Sequence, residues 1–171
     1  PLSANRKCKH AGKYSAMVDD DMFEEISKYS WQAHKCNHTV YAERTYFENG
    51  EKKCTSMHRQ ILELGDSKLK GDHIDHNGLN NQRSNLRVAT FRQNNMNRTS
   101  LNGSASKYLG VHLHINRKTG YTRWTAQIRI GGKQTCLGYF KDEEYAAKKY
   151  DEFAKIHHKE FANLNFPAKA A

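Results

Sequence analysis

This sequence lacks any long apolar run and any segment with the apolar centre of a secretory signal. A membrane-spanning helix needs roughly 20 consecutive apolar residues, and no stretch of the chain comes close. We therefore expect a soluble, intracellular protein with no membrane partner. Only 37% of the 171 residues are apolar. Because small domains bury a smaller share of their surface, two modest cores fit this composition better than one large core.

Closely spaced cysteine pairs are also missing. The four cysteines stand at positions 8, 36, 54 and 136, and none forms a Cys-x-x-Cys pair. Structural zinc sites usually use such pairs, and nothing marks the chain as secreted, so we expect reduced thiols. One mixed zinc site stays open as an alternative, in which Cys8 or Cys36 would join His10, His34 or His38.

Acidic residues are absent between Asp75 and Asp142, in a chain whose net charge is +10. Eleven basic residues fall in that span: Arg83, Arg87, Arg92, Arg98, Lys107, Arg117, Lys118, Arg123, Arg129, Lys133 and Lys141. A solvated surface normally mixes both signs, so this distribution favours a nucleic acid as partner. An anionic membrane fits less well, because no basic amphipathic helix accompanies the charge.

The first part of the chain reads as a small supporting sheet. The triplet at 19–21 (Asp-Asp-Asp) is typical of a helix start and less typical of a metal site. Strands are expected at 31–35, 39–46 and 53–57, with an Asn-Gly hairpin signal at Asn49-Gly50. Apolar residues from 57 to 64 suit one face of a short helix.

The stretch 71–97 concentrates polar chemistry. It predicts a strand at 71–74, an Asn-rich loop, a second strand at 86–89 and a helix at 91–97. Asp72 could give a carboxylate oxygen and Asn94 an amide oxygen to a hard divalent cation, and His73 could take a proton from water. We expect Asn85 to hold the loop. Spacing alone does not separate Asp72 from Asp75, and His76 and Asn77 could equally be offered as ligands.

Residues 99–107 have the composition of a linker, which divides the chain into 1–98 and 108–171. In the second part we expect strands at 111–115, 124–130 and 134–139, followed by a helix that opens at 142–144. In the middle strand, one face carries apolar residues and the other carries Arg123, Thr125, Gln127 and Arg129. The fold class is therefore α+β, with a three-stranded antiparallel sheet packed on one helix at the end.

Asp72-His73, Asn80-Asn81, the run from Ser84 to Arg87 and Asn94 together resemble the HNH endonuclease family, especially phage- and intron-encoded homing endonucleases. The resemblance implies the ββα-metal fold, with Asp72 and Asn94 as metal ligands, His73 as general base and Asn85 as the catalytic-motif residue that holds the loop. Asn94 in the last motif position implies one Mg²⁺ or Mn²⁺ per chain rather than Zn²⁺. His76 stands where relatives often have Gly. Met57-His58-Arg59 resembles the family's His-Arg element, so Arg59 is a candidate DNA contact together with Arg87 and Arg92.

Residues 108–167 resemble the plant ethylene-response-factor (Apetala-2-like) DNA-binding domain. The matching pieces are Tyr108 to Val111, Trp124 to Ile128, Leu137 to Phe140, Ala146-Ala147 with Tyr150-Asp151, and Leu164 to Pro167. In that family the sheet enters the major groove, which implies base contacts from His112, His114, Gln127, Arg129 and Gln134. His112 and His114 replace the plant arginines, so no plant target sequence carries over.

These expectations combine into a site-specific, metal-dependent endonuclease of homing type that acts on duplex DNA as a monomer or homodimer. A catalytically inactive DNA-binding transcriptional regulator is the alternative, since it would share the charge pattern and the second domain. A nuclease that processes RNA is a weaker alternative.

Overall fold

The computed structural model describes residues 12–36, 39–65, 67–98 and 103–167. The chain divides into two compact units, Pro1–Phe91 and Arg92–Ala171. This division falls at the start of helix α3 (Phe91–Met96), ahead of the linker expected at 99–107, of which residues 99–102 lie outside the described part. In the described ranges no helix is long and apolar enough to cross a membrane.

The first unit begins with α1 (Asp20–Ser27), which starts where the acidic triplet predicted. Ile26 of this helix is buried with Trp31, Ala42 and Met57, and Trp31 Nε1 donates to the Ile26 carbonyl at 2.8 Å. The acidic side chains do not cap the helix. Instead, Asp19 accepts a hydrogen bond from the backbone N–H of Arg83, and Asp21 forms an ion pair with its guanidinium.

A three-stranded antiparallel sheet follows, with strands β1 (Gln32–Lys35), β2 (Val40–Glu48) and β3 (Glu51–Ser56) in that order. The β2–β3 turn uses Asn49 and Gly50 at φ of 51° and 79°, which is the left-handed conformation that the Asn-Gly signal predicts. Helix α2 (Met57–Ile61) leaves the end of β3 and buries Met57 in the same core.

The focal stretch forms an antiparallel hairpin of β4 (Lys70–His73) and β5 (Leu86–Ala89), with a 3-10 turn at Arg83–Asn85 just before β5. Helix α3 comes directly after β5, so the order is strand, strand, helix, as expected. The loop between the strands is tied to the start of the chain, because Met17 exchanges backbone hydrogen bonds with Leu79 and Asn81, each 2.8 Å long.

The second unit contains the antiparallel sheet β6 (Val111–Ile115), β7 (Thr122–Ile130) and β8 (Lys133–Phe140), with helix α4 (Glu143–His158) packed on one face. Asp142 caps α4 by accepting from the Tyr145 N–H at 2.6 Å. The apolar face of β7 meets α4 as predicted, and a bulge between Ala126 and Gln127 shifts the β7–β8 register. Two buried clusters result: Val111, Ala126, Ala146 and Ala147, and Leu109, Ile128, Tyr150 and Ala154.

The buried carboxylate of Asp151 in α4 connects this helix to the segment after it and, through Asn165, to the segment before β6. Asp151 accepts from the backbone N–H groups of Asn165 and Phe166 at 2.9 and 2.8 Å. Asn165 in turn bonds both the N–H and the carbonyl of Leu109. Gly110 follows at φ 75°, and a Cβ there would lie 2.1 Å from the Tyr150 ring. Three of the short motifs noted in the sequence are therefore parts of one packing network.

Candidate active site

Asp72 and His73 end strand β4, and both residues are buried, at 6% exposure each. In the β4–β5 ladder Asp72 lies opposite Arg87, and His73 lies opposite Leu86. A buried acid next to a buried histidine is costly unless each has polar partners. The hairpin supplies those partners from β5 and from the loop between the strands.

Arg87 is the partner of Asp72. Its Nε and Nη2 each lie 2.7 Å from Oδ2 of the carboxylate, and the two side chains are only 15% and 8% exposed. This guanidinium was expected to contact DNA. The structure instead engages it with the carboxylate, and its role as a DNA contact stays a prediction.

His73 is held by Asn81, whose Oδ1 lies 3.3 Å from Nε2 of the imidazole. Asn81 is fully buried, and its Nδ2 has no hydrogen-bond partner among the described residues. Burial lowers the pKa of His73 below 6.5, although Asn81, Asp75 and Asp72 oppose that shift. The imidazole is therefore neutral near pH 7, as a general base must be.

A second histidine packs on the first. The rings of His58 and His73 meet edge to face with centroids 4.8 Å apart, and Tyr41 lies within 6 Å of both. Burial, helped by His73 and Arg59, lowers the pKa of His58 to about 3. Gly71 makes room for this ring, because a Cβ there would lie 2.5 Å from Cδ2 of His58.

The loop after His73 is organised by Asp75 and Asn85. The carboxylate of Asp75 accepts from Asn77 N–H, Asn85 Nδ2 and Asn80 Nδ2, at 2.8 to 2.9 Å. Burial works against this charge, but the three hydrogen bonds lower the pKa of Asp75 overall. Asn85 also donates to the Asn80 carbonyl and accepts from the Asp75 N–H. Both oxygens of Asp75 thus serve the loop, and Asn85 holds the loop as the sequence analysis expected.

His76 adopts φ 63° in this loop, a left-handed conformation that glycine takes at lower cost. This conformation is consistent with the glycine that the HNH resemblance implies at that position. Gly78 allows close packing nearby, because a Cβ there would lie 2.6 Å from both the Tyr41 ring and the Val40 carbonyl.

The donor set suits a hard cation. Asp72 offers a carboxylate and Asn94 an amide oxygen, which fits the oxygen preference and high residual hydration of Mg²⁺. Asn94 lies half-buried in α3, beyond the division between the units, so its pairing with Asp72 stays a prediction. Within the described ranges, no three His, Cys, Asp or Glu side chains form a metal cluster. Of the alternative zinc site, Cys8, His10 and His38 lie outside those ranges.

The side chain of Arg59 is hydrogen-bonded to the backbone of this chain. Its guanidinium donates to the carbonyls of Leu69, Gly65 and Ser67, at 2.9, 2.6 and 3.2 Å, and so braces the segment that leads to β4. Arg92 is exposed at the start of α3. DNA contacts by either arginine remain predictions.

The face of the second sheet opposite α4 carries the remaining candidates. His112, His114, Arg129 and Gln134 are exposed, and Gln127 is half-buried. Gln134 Nε2 donates to Gln127 Oε1 at 3.2 Å, and the ring of His114 packs against Tyr139. The structure thus places all five predicted base contacts on one sheet face that has no acidic residue.

Three side chains contact His73 in ways that the sequence did not predict: Asn81, which lies beside it, and Tyr41 and His58, whose rings pack against it. Asn81 has a signal as part of the Asn80-Asn81 pair in the HNH resemblance, but nothing in the pair indicates a contact with His73. His58 has a motif signal in Met57-His58-Arg59, but that signal does not indicate that its ring packs on His73. Tyr41 had no signal, because it lies on a strand far away in sequence.

Comparison with known proteins gives one informative relative. An uncharacterised HNH endonuclease of Acanthamoeba polyphaga mimivirus is 32% identical over 155 residues, which cover 88% of this chain and 74% of the viral protein. No established family profile and no solved structure matches the chain. The Apetala-2-like resemblance of the second unit has no such support and stays a prediction. The HNH resemblance is confirmed: this chain belongs to the HNH endonuclease family.

Proposed function

We propose that this HNH nuclease is a site-specific, metal-dependent DNA endonuclease of homing type. The observation that carries the proposal is the buried pair Asp72 and His73, in which each side chain is held by a polar partner from the same hairpin. A protein that only binds DNA has no need for a buried acid–histidine pair. The viral source of the relative fits an enzyme encoded by a virus or an intron.

His73 acts as the general base toward the attacking water. Asn81 Oδ1 can only accept a hydrogen bond, so Nε2 of the neutral imidazole carries the proton and Nδ1 carries the lone pair. We infer that Nδ1 takes the proton from water. Because burial lowers the pKa of His73, the ring stays unprotonated, and able to act, below pH 6.5.

Asp72, with Asn94, would hold one Mg²⁺ or Mn²⁺. Such an ion would supply positive charge to offset the negative charge that grows on the phosphate and the leaving oxygen during hydrolysis. Asn85 contributes indirectly by fixing the loop that carries Asn81, so its substitution acts through the geometry of His73. The products would be 5′-phosphate and 3′-hydroxyl ends.

The second unit would bind duplex DNA through the sheet face opposite α4. Arg129 and its basic neighbours provide charge for phosphates, and the amides of Gln127 and Gln134 provide donors and acceptors for base edges. The network of Asp151, Asn165 and Leu109 supports the Apetala-2-like assignment, because it gives a packing role to the motifs that carry the resemblance. One active site per chain means that a monomer nicks, and a double-strand break needs a homodimer or two events.

Cleavage mapping on a randomised duplex library tests this function. With Mg²⁺, wild-type protein should cut a limited set of sequences, and the mapped ends should report the strand outcome and the target site together. Binding without cutting would instead identify a DNA-binding regulator. Preferential cutting of RNA in a competition with duplex DNA would identify an RNA-processing nuclease.

A further inference from the structure

Arg87 has an unusual position for an arginine of a basic, DNA-binding chain. Its side chain is 15% exposed, and its Nε and Nη2 each lie 2.7 Å from a single carboxylate oxygen, Oδ2 of Asp72. The two residues are direct cross-strand partners in the β4–β5 ladder. Their pairing is therefore built into the register of the hairpin and needs no loop rearrangement.

Stability alone explains this pair poorly. Two charges lose their hydration when they are buried together, and an apolar pair of similar volume is often as stable or more stable. The geometry of the ion pair can fix the orientation of the carboxylate, which an apolar pair cannot do. A guanidinium that donates two N–H groups to one carboxylate oxygen restricts the rotation of that carboxylate.

We propose that Arg87 is a positioning residue, which fixes the Asp72 carboxylate for the divalent cation and makes no phosphate contact. This inference rests on the proposed function, because it takes Asp72 as the ligand. It replaces the DNA-binding role that the sequence suggested for Arg87. Residues that orient a metal ligand typically change metal affinity by about 10- to 100-fold when they are substituted.

Arg87→Lys tests the positioning role, because it keeps the charge but loses the planar fork. Binding of Mn²⁺ is measured by electron paramagnetic resonance on the full chain bound to duplex DNA, with His73→Ala in all samples so that the DNA stays intact. Asp72→Asn in the same background gives the signal of Mn²⁺ held elsewhere. Arg87→Lys should weaken the Asp72-dependent binding by about 10- to 100-fold. Unchanged Mn²⁺ affinity would overturn the inference.

Arg87→Gln tests the phosphate alternative, because it removes the charge. DNA affinity is measured without divalent metal over a range of salt concentrations. We expect Arg87→Gln to bind DNA within about twofold of wild type and with the same salt dependence. Arg129→Ala, on the exposed sheet face, is the matched control and should weaken binding and lower the salt slope by about 1. The same slope change in Arg87→Gln would show a phosphate contact and refute the inference.

Folding of each variant is checked in a Trp124→Phe background by the fluorescence of Trp31, which is buried in the first unit at 4% exposure. Arg87→Lys is the decisive variant if Arg87→Gln unfolds. The inference and the proposed function fail in different ways. Absence of Mg²⁺-dependent cutting by wild type would remove the nuclease function, whereas normal cutting with normal Mn²⁺ binding in Arg87→Lys would remove only the role of Arg87.

Discussion

Acidification should destabilise the first unit through His58. Burial lowers the pKa of this imidazole from 6.5 to about 3, so the folded unit resists a proton that the unfolded chain accepts readily. The stabilisation is therefore complete above pH 6.5 and is lost progressively as the pH falls toward 3. From the difference between these two pKa values, the free energy of unfolding should be about 2 kcal/mol lower at pH 5 than at pH 8. The pKa of His73 is also lowered and adds a loss of the same sign.

Urea unfolding at pH 8 and pH 5 measures this loss. Trp124→Phe serves as the parent, because it leaves the buried Trp31 as the fluorescent reporter of the first unit. His58→Gln in that parent keeps a polar side chain that cannot take up a proton. Its stability should fall by about 2 kcal/mol less than that of the parent between the two pH values. Equal losses in the two proteins would refute the claim that burial keeps His58 neutral.

Three further substitutions test the packing around the site and in the second unit. Asn85→Ala removes two donated hydrogen bonds and one accepted hydrogen bond in the loop. Urea unfolding should show that the free energy of unfolding of the first unit falls by about 2–3 kcal/mol, and DNA cutting should be slower. Unchanged stability and rate would show that the loop does not need Asn85. Gly71→Ala places a Cβ 2.5 Å from the ring of His58, which must then shift. We expect slower DNA cutting and an unchanged affinity for DNA in the absence of metal. A loss of DNA affinity without slower cutting would contradict the packing argument. Gly110→Ala puts an alanine at φ 75° and in a clash with the Tyr150 ring. Hydrogen exchange should show that the stability of the second unit alone falls by about 2–4 kcal/mol. Wild-type protection of the second unit against exchange would contradict this prediction.

Much of the fold was accessible from local sequence patterns. The Asn49-Gly50 signal located the β2–β3 turn, Asp142 marked the start of α4, and the alternation in β7 identified the face that packs on the helix. Each of these features depends on residues within a few positions of one another. Local preferences for turns, caps and strand faces are therefore enough to predict them.

The partners of the charged side chains could not be predicted from local sequence patterns. Asp21 pairs with Arg83, 62 residues away, and Asp72 pairs with Arg87 across a 15-residue interval. The acidic triplet marked a helix start correctly, but nothing local indicated that its side chains would tether the turn before Asn85. Similarly, the count of arginines predicted a basic surface. It did not indicate that Arg87 donates to a carboxylate, or that Arg59 donates to backbone carbonyls, of the chain itself. Such pairings are fixed by strand register and loop path, which only the folded chain reveals.

The proposed nuclease function requires Asp72 and His73 to act together in the hydrolysis of a phosphodiester bond in DNA. Its most direct test is the single-turnover cutting rate at the mapped target, with Mg²⁺ and with all DNA bound by protein. We expect His73→Ala to cut about 10²- to 10⁴-fold more slowly than wild type with unchanged DNA affinity, which is the contribution usual for a general base. Cutting by His73→Ala at the wild-type rate would contradict the role of His73, and the absence of any Mg²⁺-dependent cutting by wild type would contradict the claim as a whole.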